Sequence, residues 1–120
     1  MYFINERGKL NPGNPSSIEE CFNIIDEIFK ENSEIDITNM TELHFVAKTQ
    51  FGLGMWMRNQ WIHIENSNIK KFFENKGIYH PDDMSGIILT SYYRKCNNKE
   101  IQLEKQIEFY KKFWKENGGV

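Results

Sequence analysis

The chain has 120 residues, which is enough for one domain built around one hydrophobic core. Apolar residues make up 39% of it and charged residues 27%, a balance that excludes a disordered chain. No stretch approaches the roughly 18 consecutive apolar residues of a transmembrane helix, and the first residues do not read as a signal peptide. We therefore expect a cytoplasmic protein with no membrane partner.

Charge is unevenly distributed along the chain, although the net charge is only −2. Residues 1–45 carry a net charge of −6, residues 46–92 of +1 and residues 93–120 of +3. A dedicated nucleic-acid-binding protein would instead concentrate basic residues on one face. The distribution argues against a nucleic-acid partner and is compatible with protein partners of either charge.

An irregular N-terminal arm is predicted for residues 1–15. Asn, Pro and Gly fill positions 11 to 15, and these residues are typical of turns and linkers. Tyr2, Phe3 and Ile4 are apolar, and we expect them to fold back onto the core. Residues 16–117 show helical spacing and no confident strand, which predicts a single all-α domain of about five helices.

The first helix is predicted to open at Ser16 or Ser17. Ser16 and Glu19 have the spacing of a capping box, in which two side chains satisfy free N–H groups at the helix start. Apolar residues then recur at helical spacing as far as Phe29, and residues 30–36 read as a charged connection.

A long central helix is predicted from Thr38 or Asn39 to about Ile62, and the glycines at 52 and 54 allow a kink there. Trp56 lies five residues before Trp61, so we expect the two rings on different faces, with Trp56 the more exposed. The face predicted to lie against the core follows a spacing of three and four residues: Met40, Leu43, Ala47, Gln50, Gly54, Met57 and Trp61.

Three further helices are predicted after the central one. A short helix over residues 68–76 is capped by Ser67 and ends at Gly77. The next begins at Pro81 and ends near Lys95, and the last covers residues 99–115. Their inward-facing residues are predicted to be Met84, Ile87, Ile88 and Tyr92, and then Leu103, Ile107, Tyr110 and Trp114.

The main candidate site lies where Arg58 and Asn59 adjoin the apolar face of the central helix. A buried unpaired charge is very costly, so Arg58 needs an acceptor. Asp82 and Asp83 follow Pro81 at a helix start, where carboxylates complement the positive end of the helix dipole. We predict that Arg58 pairs with Asp82 or Asp83 and ties the two helices together.

These two stretches also carry a family resemblance. The motif Phe-Gly-Leu-Gly-x-Trp-x-Arg-Asn-x-Trp at 51–61 is followed by His-Pro-Asp-Asp-Met-Ser-x-Ile-Ile-Leu at 80–89. Together they resemble an uncharacterised family of small bacterial and phage proteins, classed as a domain of unknown function, over about residues 43–93. Residues 62–66 depart from the turn rich in Gly, Leu and Trp that we expect of the family. The resemblance implies a compact helical domain and no established activity.

A metal site is not predicted. His44, His63 and His80 are possible ligands beside the aspartates at 82 and 83, but their spacing matches no signature such as HExxH or paired CxxC. The chemistry of a helix start explains the two aspartates without a metal. No cofactor and no catalytic residue is predicted.

Three functions are compatible with the sequence. The first is a non-enzymatic interaction module, inhibitor- or immunity-like, with an unknown protein partner. The second is a site for a small anionic, nucleotide-like ligand held by Arg58, Asn59 and nearby aromatic rings. This site is compatible with a homodimer that shares the ligand. The third is a small hydrolase centred on residues 80, 82 and 83. The candidate binding residues are Trp56, Arg58, Asn59, His80, Asp82 and Asp83.

Overall fold

The computed structural model describes residues 12–31 and 36–118, and within these ranges it contains helices and no strand. The prediction of an all-α domain of about five helices is confirmed, whereas the expected fold-back of Tyr2, Phe3 and Ile4 lies outside the described residues. Within the described residues, none of the helices combines the length and the hydropathy of a membrane-spanning segment. The helices are α1 (Ile18–Glu31), α2 (residues 42–62), α3 (Asn68–Asn75), α4 (Pro81–Cys96) and α5 (Leu103–Glu116).

The fold is assembled around α4. All six residues from Met84 to Leu89 are buried, so this helix is enclosed by other elements rather than packed on one side. The helices α1, α2, α3 and α5 each pack against it. The inward-facing residues predicted for this helix are all buried, and their neighbours Ser85 and Gly86 are buried with them.

Helix ends follow the predicted capping chemistry closely. At α1 the Ser17 hydroxyl accepts the Glu20 N–H at 3.1 Å, and Glu20 Oε1 accepts the Ser16 N–H at 2.8 Å. The capping pair is therefore shifted by one residue from the predicted one. The Ser67 hydroxyl caps α3 as predicted, and Gly77 ends that helix with a φ of +90°, a conformation that favours glycine.

The central helix α2 begins at Glu42, three or four residues after the predicted start at Asn39 or Thr38. The Asp36 carboxylate accepts hydrogen bonds from Thr38 and Asn39, which ties Ile37–Asn39 into a separate 3₁₀ turn. The Thr41 hydroxyl then accepts the His44 N–H at 3.1 Å and caps the helix proper. The side chains of Asp36, Thr38 and Asn39 bond locally and so compete with helix formation.

Two π-helical turns interrupt α2. It is α-helical over Glu42–Thr49 and Met55–Met57, and π-helical over Gln50–Gly54 and Arg58–Ile62. The His63 N–H donates to the Arg58 carbonyl at 2.8 Å, the i to i+5 bond of a π turn.

The π turns change which side chains share a face of α2. Four residues of a regular α-helix overshoot a full turn by about 40°, and the wider π turns remove this drift. Side chains four apart therefore lie in straight rows along α2. One row is buried and faces α4, and we call it the core row: Phe45, Thr49, Leu53, Met57 and Trp61.

The predicted core face of α2 is therefore wrong in its first half. Leu43 is 81% exposed and Ala47 is also exposed, whereas Phe45 and Thr49 are buried. The predicted face follows a regular α-helical spacing back from Trp61 across both π turns. Because the π turns have a longer period, this spacing assigns the earlier residues to the wrong side of the helix.

The two tryptophans of α2 also lie closer than predicted. The ring centroids of Trp56 and Trp61 are 5.3 Å apart in an edge-to-face arrangement, because the π turn narrows the angle between residues five apart and places them on neighbouring rows. Trp61 is fully buried, and Trp56 is half-buried against the core.

Candidate functional site

Arg58 connects α2 to the start of α4. Its side chain is only 14% exposed, and its Nε lies 3.3 Å from Asp82 Oδ1. Its Nη1 donates to Ser85 Oγ at 2.8 Å and to Gln50 Oε1 at 3.2 Å, and its Nη2 donates to the Gln50 carbonyl at 3.3 Å. We call this group of Gln50, Arg58, Asp82 and Ser85 the clasp. Its bonds use Nε, Nη1 and Nη2, so every nitrogen of the guanidinium has a partner.

The predicted pairing of Arg58 is confirmed for Asp82, but the pair is not a buried one. The Asp82 side chain is 81% exposed, and an ion pair open to water contributes about 0–1 kcal/mol. The hydrogen bonds to the buried Ser85 and the half-buried Gln50 therefore carry most of the stabilisation by Arg58.

Gln50 and Ser85 are the two residues of the clasp that were not predicted from the sequence: Gln50 is predicted on the core face, and no role is predicted for Ser85. Gln50 Nε2 donates to the Asp82 carbonyl at 3.1 Å, and its Oε1 lies 3.0 Å from Ser85 Oγ. The available signal was the spacing of Gln50, Gly54 and Arg58, which are four apart and form one straight row on α2.

Gly54 provides the space that the clasp occupies. A Cβ at this position would lie 2.2 Å from Gln50 Oε1 and 3.2 Å from Arg58 Nη1, and the first distance is a severe overlap. The backbone of Gly54 is ordinary right-handed helix, with φ −60° and ψ −44°. The glycine is therefore needed for room and not for backbone freedom.

His80 and Asp83 face α5 and not Arg58. The His80 ring stacks on Trp114 with centroids 3.8 Å apart, and the Trp114 indole N–H donates to Asp83 Oδ2 at 2.7 Å. Burial raises the pKa of the Asp83 carboxyl, and the Trp114 hydrogen bond opposes that rise. His80 Nε2 is buried and makes no hydrogen bond within the described part of the chain.

The six predicted site residues thus separate into four places. Arg58 and Asp82 meet in the clasp, His80 and Asp83 hold α5, Trp56 packs on the core, and Asn59 is exposed. A surface cavity of about 700 Å³ lies between α3 and α5, and none of the six lines it. Among the described residues, no three His, Cys, Asp or Glu side chains are grouped as a metal ion would require.

A different surface of α2 is apolar and faces solvent. Leu43 is 81% exposed, Phe51 80% and Met55 47%, and Ala47 between them is also exposed. These four residues lie four apart and diametrically opposite the core row, and we call them the apolar row. Leu43 and Ala47 are predicted from the sequence to lie in the core, and no individual role is predicted for Phe51 or Met55.

A comparison with protein families identifies the family to which the chain belongs. The sequence model described as "Domain of unknown function (DUF6794)" matches residues 14–96. The chain belongs to this family. The expected membership of an uncharacterised family is thereby confirmed. No curated protein and no solved structure matches the chain.

The DUF6794 match includes the candidate surfaces of α2 but leaves out α5. It spans α1 to α4, so it includes both the clasp and the apolar row. The helix α5 lies beyond it, and with it Trp114, which holds His80 and Asp83. The contacts of those two residues with Trp114 therefore involve a helix that lies outside the matched span.

Proposed function

We propose that this DUF6794 chain is a small cytoplasmic, non-enzymatic interaction module that binds another protein through the apolar row. The observation that carries the proposal is the exposure of Leu43 and Phe51, each about four-fifths open to water on one helix face. Isolated exposed apolar residues are common, but an aligned set of large ones is typical of a protein-binding surface. The role is inhibitor- or immunity-like, with a bacterial or phage origin expected.

The surrounding structure supports the row as a rigid binding surface. The core row fixes α2 from the opposite side, and the clasp joins its middle to α4. Near the start of α2, Arg94 donates to both carboxylate oxygens of Glu42 at 2.7 and 3.1 Å. A surface held in this way loses little conformational freedom on binding, which favours affinity.

The clasp is better explained as scaffold than as a ligand site. An anionic ligand would have to displace the bonds that Arg58 makes to Gln50, Ser85 and Asp82. A hydrolase centred on His80, Asp82 and Asp83 has less support, because His80 and Asp83 contact Trp114 and Asp82 pairs with Arg58. The interaction module requires neither group to leave its partner.

The area of the row sets the expected strength of binding. Full burial of a large apolar side chain contributes about 1.5–3 kcal/mol, so Leu43, Phe51 and Met55 supply the central contacts of an interface. Four residues on one helix cover less than the roughly 800 Å² per partner of a standard interface. The partner therefore also contacts residues beside the row.

A photo-crosslinking amino acid in place of Phe51 tests the proposal. We expect it to capture one protein in cells that express the full chain, and the same group in place of Glu27, exposed on α1, to capture nothing comparable. The captured protein, once purified, should bind the wild-type chain at least tenfold more tightly than Phe51→Ser. Equal capture at both positions, or equal binding by both chains, would contradict the proposal.

A further inference from the structure

The geometry points to an amphipathic α-helix with acidic residues beside its apolar face as the partner of the apolar row. This inference rests on the proposed function, because it names what the interaction surface binds. It comes from the shape of the row and from the charges along its two flanks.

The shape of the row fits another helix. From Leu43 to Met55 it extends over thirteen residues, or about 18 Å at 1.5 Å per step, which slightly more than three turns of a partner helix would span. Ala47 leaves a shallow gap between the larger Leu43 and Phe51. One large apolar side chain of the partner would fill that gap, as in packing of a helix ridge into a groove.

The charge beside the row is positive and uncompensated. Lys48 is exposed next to Ala47, and it forms no ion pair with any residue that the structure describes. His44 is exposed one turn earlier on the same flank. On the opposite flank, Glu42 is paired with Arg94 and Asp82 with Arg58. A partner carboxylate beside the row would therefore meet a free cation on one flank and paired acids on the other.

A second copy of this chain fits the row less well. An antiparallel pair of α2 helices centred near Thr49 would place Ala47 against Phe51, which is a compatible shape. It would also place Lys48 beside its own counterpart, where like charges repel. A parallel pair would place Lys48 beside Val46 and Gln50, neither of which is acidic. The charge pattern therefore favours a different, acidic chain.

Labelled helical peptides of about 14 residues provide the test, because that length gives the span of the row. One carries leucines on one face with glutamates beside them, and the other is identical except for lysines in place of the glutamates. Fluorescence anisotropy with the full chain should show the acidic peptide binding about three- to tenfold more tightly, as expected for one or two exposed charge pairs. Lys48→Glu should reverse the preference, and Phe51→Ser should abolish both. Lys71→Glu, exposed on α3, should change nothing.

The other outcomes separate this inference from the proposed function. Equal binding of the two peptides that still depends on Phe51 would overturn the acidic partner and leave the interaction surface in place. Binding of neither peptide would also overturn it, while the crosslink at position 51 tests the proposed function independently. Dimers in sedimentation that Phe51→Ser dissociates would assign the row to a second copy. Binding to phosphatidylglycerol vesicles and to neither peptide would assign it to a membrane surface.

Discussion

Replacing Gly54 with alanine should destabilise the protein, although the same change in most helices does the opposite. Alanine at an interior helix position is favoured over glycine by about 1 kcal/mol. Here the added Cβ would lie 2.2 Å from Gln50 Oε1, so the Gln50 side chain must move. This movement would break existing hydrogen bonds, because both the oxygen and the nitrogen of the Gln50 side-chain amide are hydrogen-bonded.

The magnitude follows from the bonds that Gln50 would lose. Its Oε1 accepts from the charged Arg58 Nη1 at 3.2 Å, a bond worth about 1.5–3 kcal/mol. It also lies 3.0 Å from Ser85 Oγ, a neutral bond worth about 0.5–1.5 kcal/mol. After subtracting the helix preference for alanine, we expect a net loss of about 1–3.5 kcal/mol in the free energy of unfolding.

Urea unfolding followed by circular dichroism measures this loss. Gly86→Ala is a matched control, because Gly86 also lies inside a helix and its added Cβ would meet Tyr110 and Gln50 at ordinary contact distances of 3.5 and 3.6 Å. That variant should be neutral or stabilised by up to about 1 kcal/mol. In a Gln50→Ala background, Gly54→Ala should become stabilising, since the overlapping atom is gone. If Gly54→Ala were as stable as Gly86→Ala in the wild-type background, the overlap with Gln50 would not be what makes Gly54 necessary.

Three further outcomes follow from the same contacts. Arg58→Ala should cost at least about 2 kcal/mol in urea unfolding because it leaves the buried Ser85 hydroxyl and the half-buried Gln50 oxygens without their donor, whereas Asp82→Ala should cost less than about 1 kcal/mol because its pair is exposed. Asp83→Asn should flatten the pH dependence of stability: the folded pKa of Asp83 lies above its ordinary 3.8, so its contribution is present at low pH and is lost as the pH rises through the folded value. Phe51→Ser should leave the free energy of unfolding within about 0.5 kcal/mol of wild type, because the side chain is exposed.

Each of these outcomes has a clear contrary result. Equal losses for Arg58→Ala and Asp82→Ala would mean that the ion pair, and not the hydrogen bonds to Gln50 and Ser85, stabilises the clasp. An unchanged pH profile in Asp83→Asn would remove the assigned effect of burial on that carboxyl. A large loss of stability in Phe51→Ser would show that the apolar row takes part in folding.

Local signals allowed much of the fold to be predicted. Ser67 and Gly77 bound α3 as expected, and Pro81 begins α4, because caps and turn residues act on backbone groups only a few positions away. The rows of α2 could not be found in this way. A π turn leaves the composition of a helix ordinary but changes its period, so a spacing of 3.6 carried across Gln50–Gly54 assigns the earlier residues to the wrong face.

The charged pair of the candidate site could be predicted from the sequence, but the positions of the other site residues could not. The pairing of Arg58 with Asp82 follows from the cost of a buried cation, which can be argued from residue types alone. The Trp114 bond to Asp83 joins residues 31 apart in two helices, and no local rule specifies it. The exposure of Phe51 was likewise not predictable, because it depends on which row of α2 faces α4.

The rows of α2 have a consequence for how the helix tolerates change. One row packs on α4, one forms the clasp and one is apolar and exposed, so tolerance to substitution should repeat every four residues along α2. Loss of a single residue inside α2 would turn everything on one side of it by about 100° relative to the other. Each row on that side would then take the place of a neighbouring row, so part of the core row would no longer face α4 and the clasp could not form. The helix is therefore expected to accept many single substitutions on its exposed row and few changes of length.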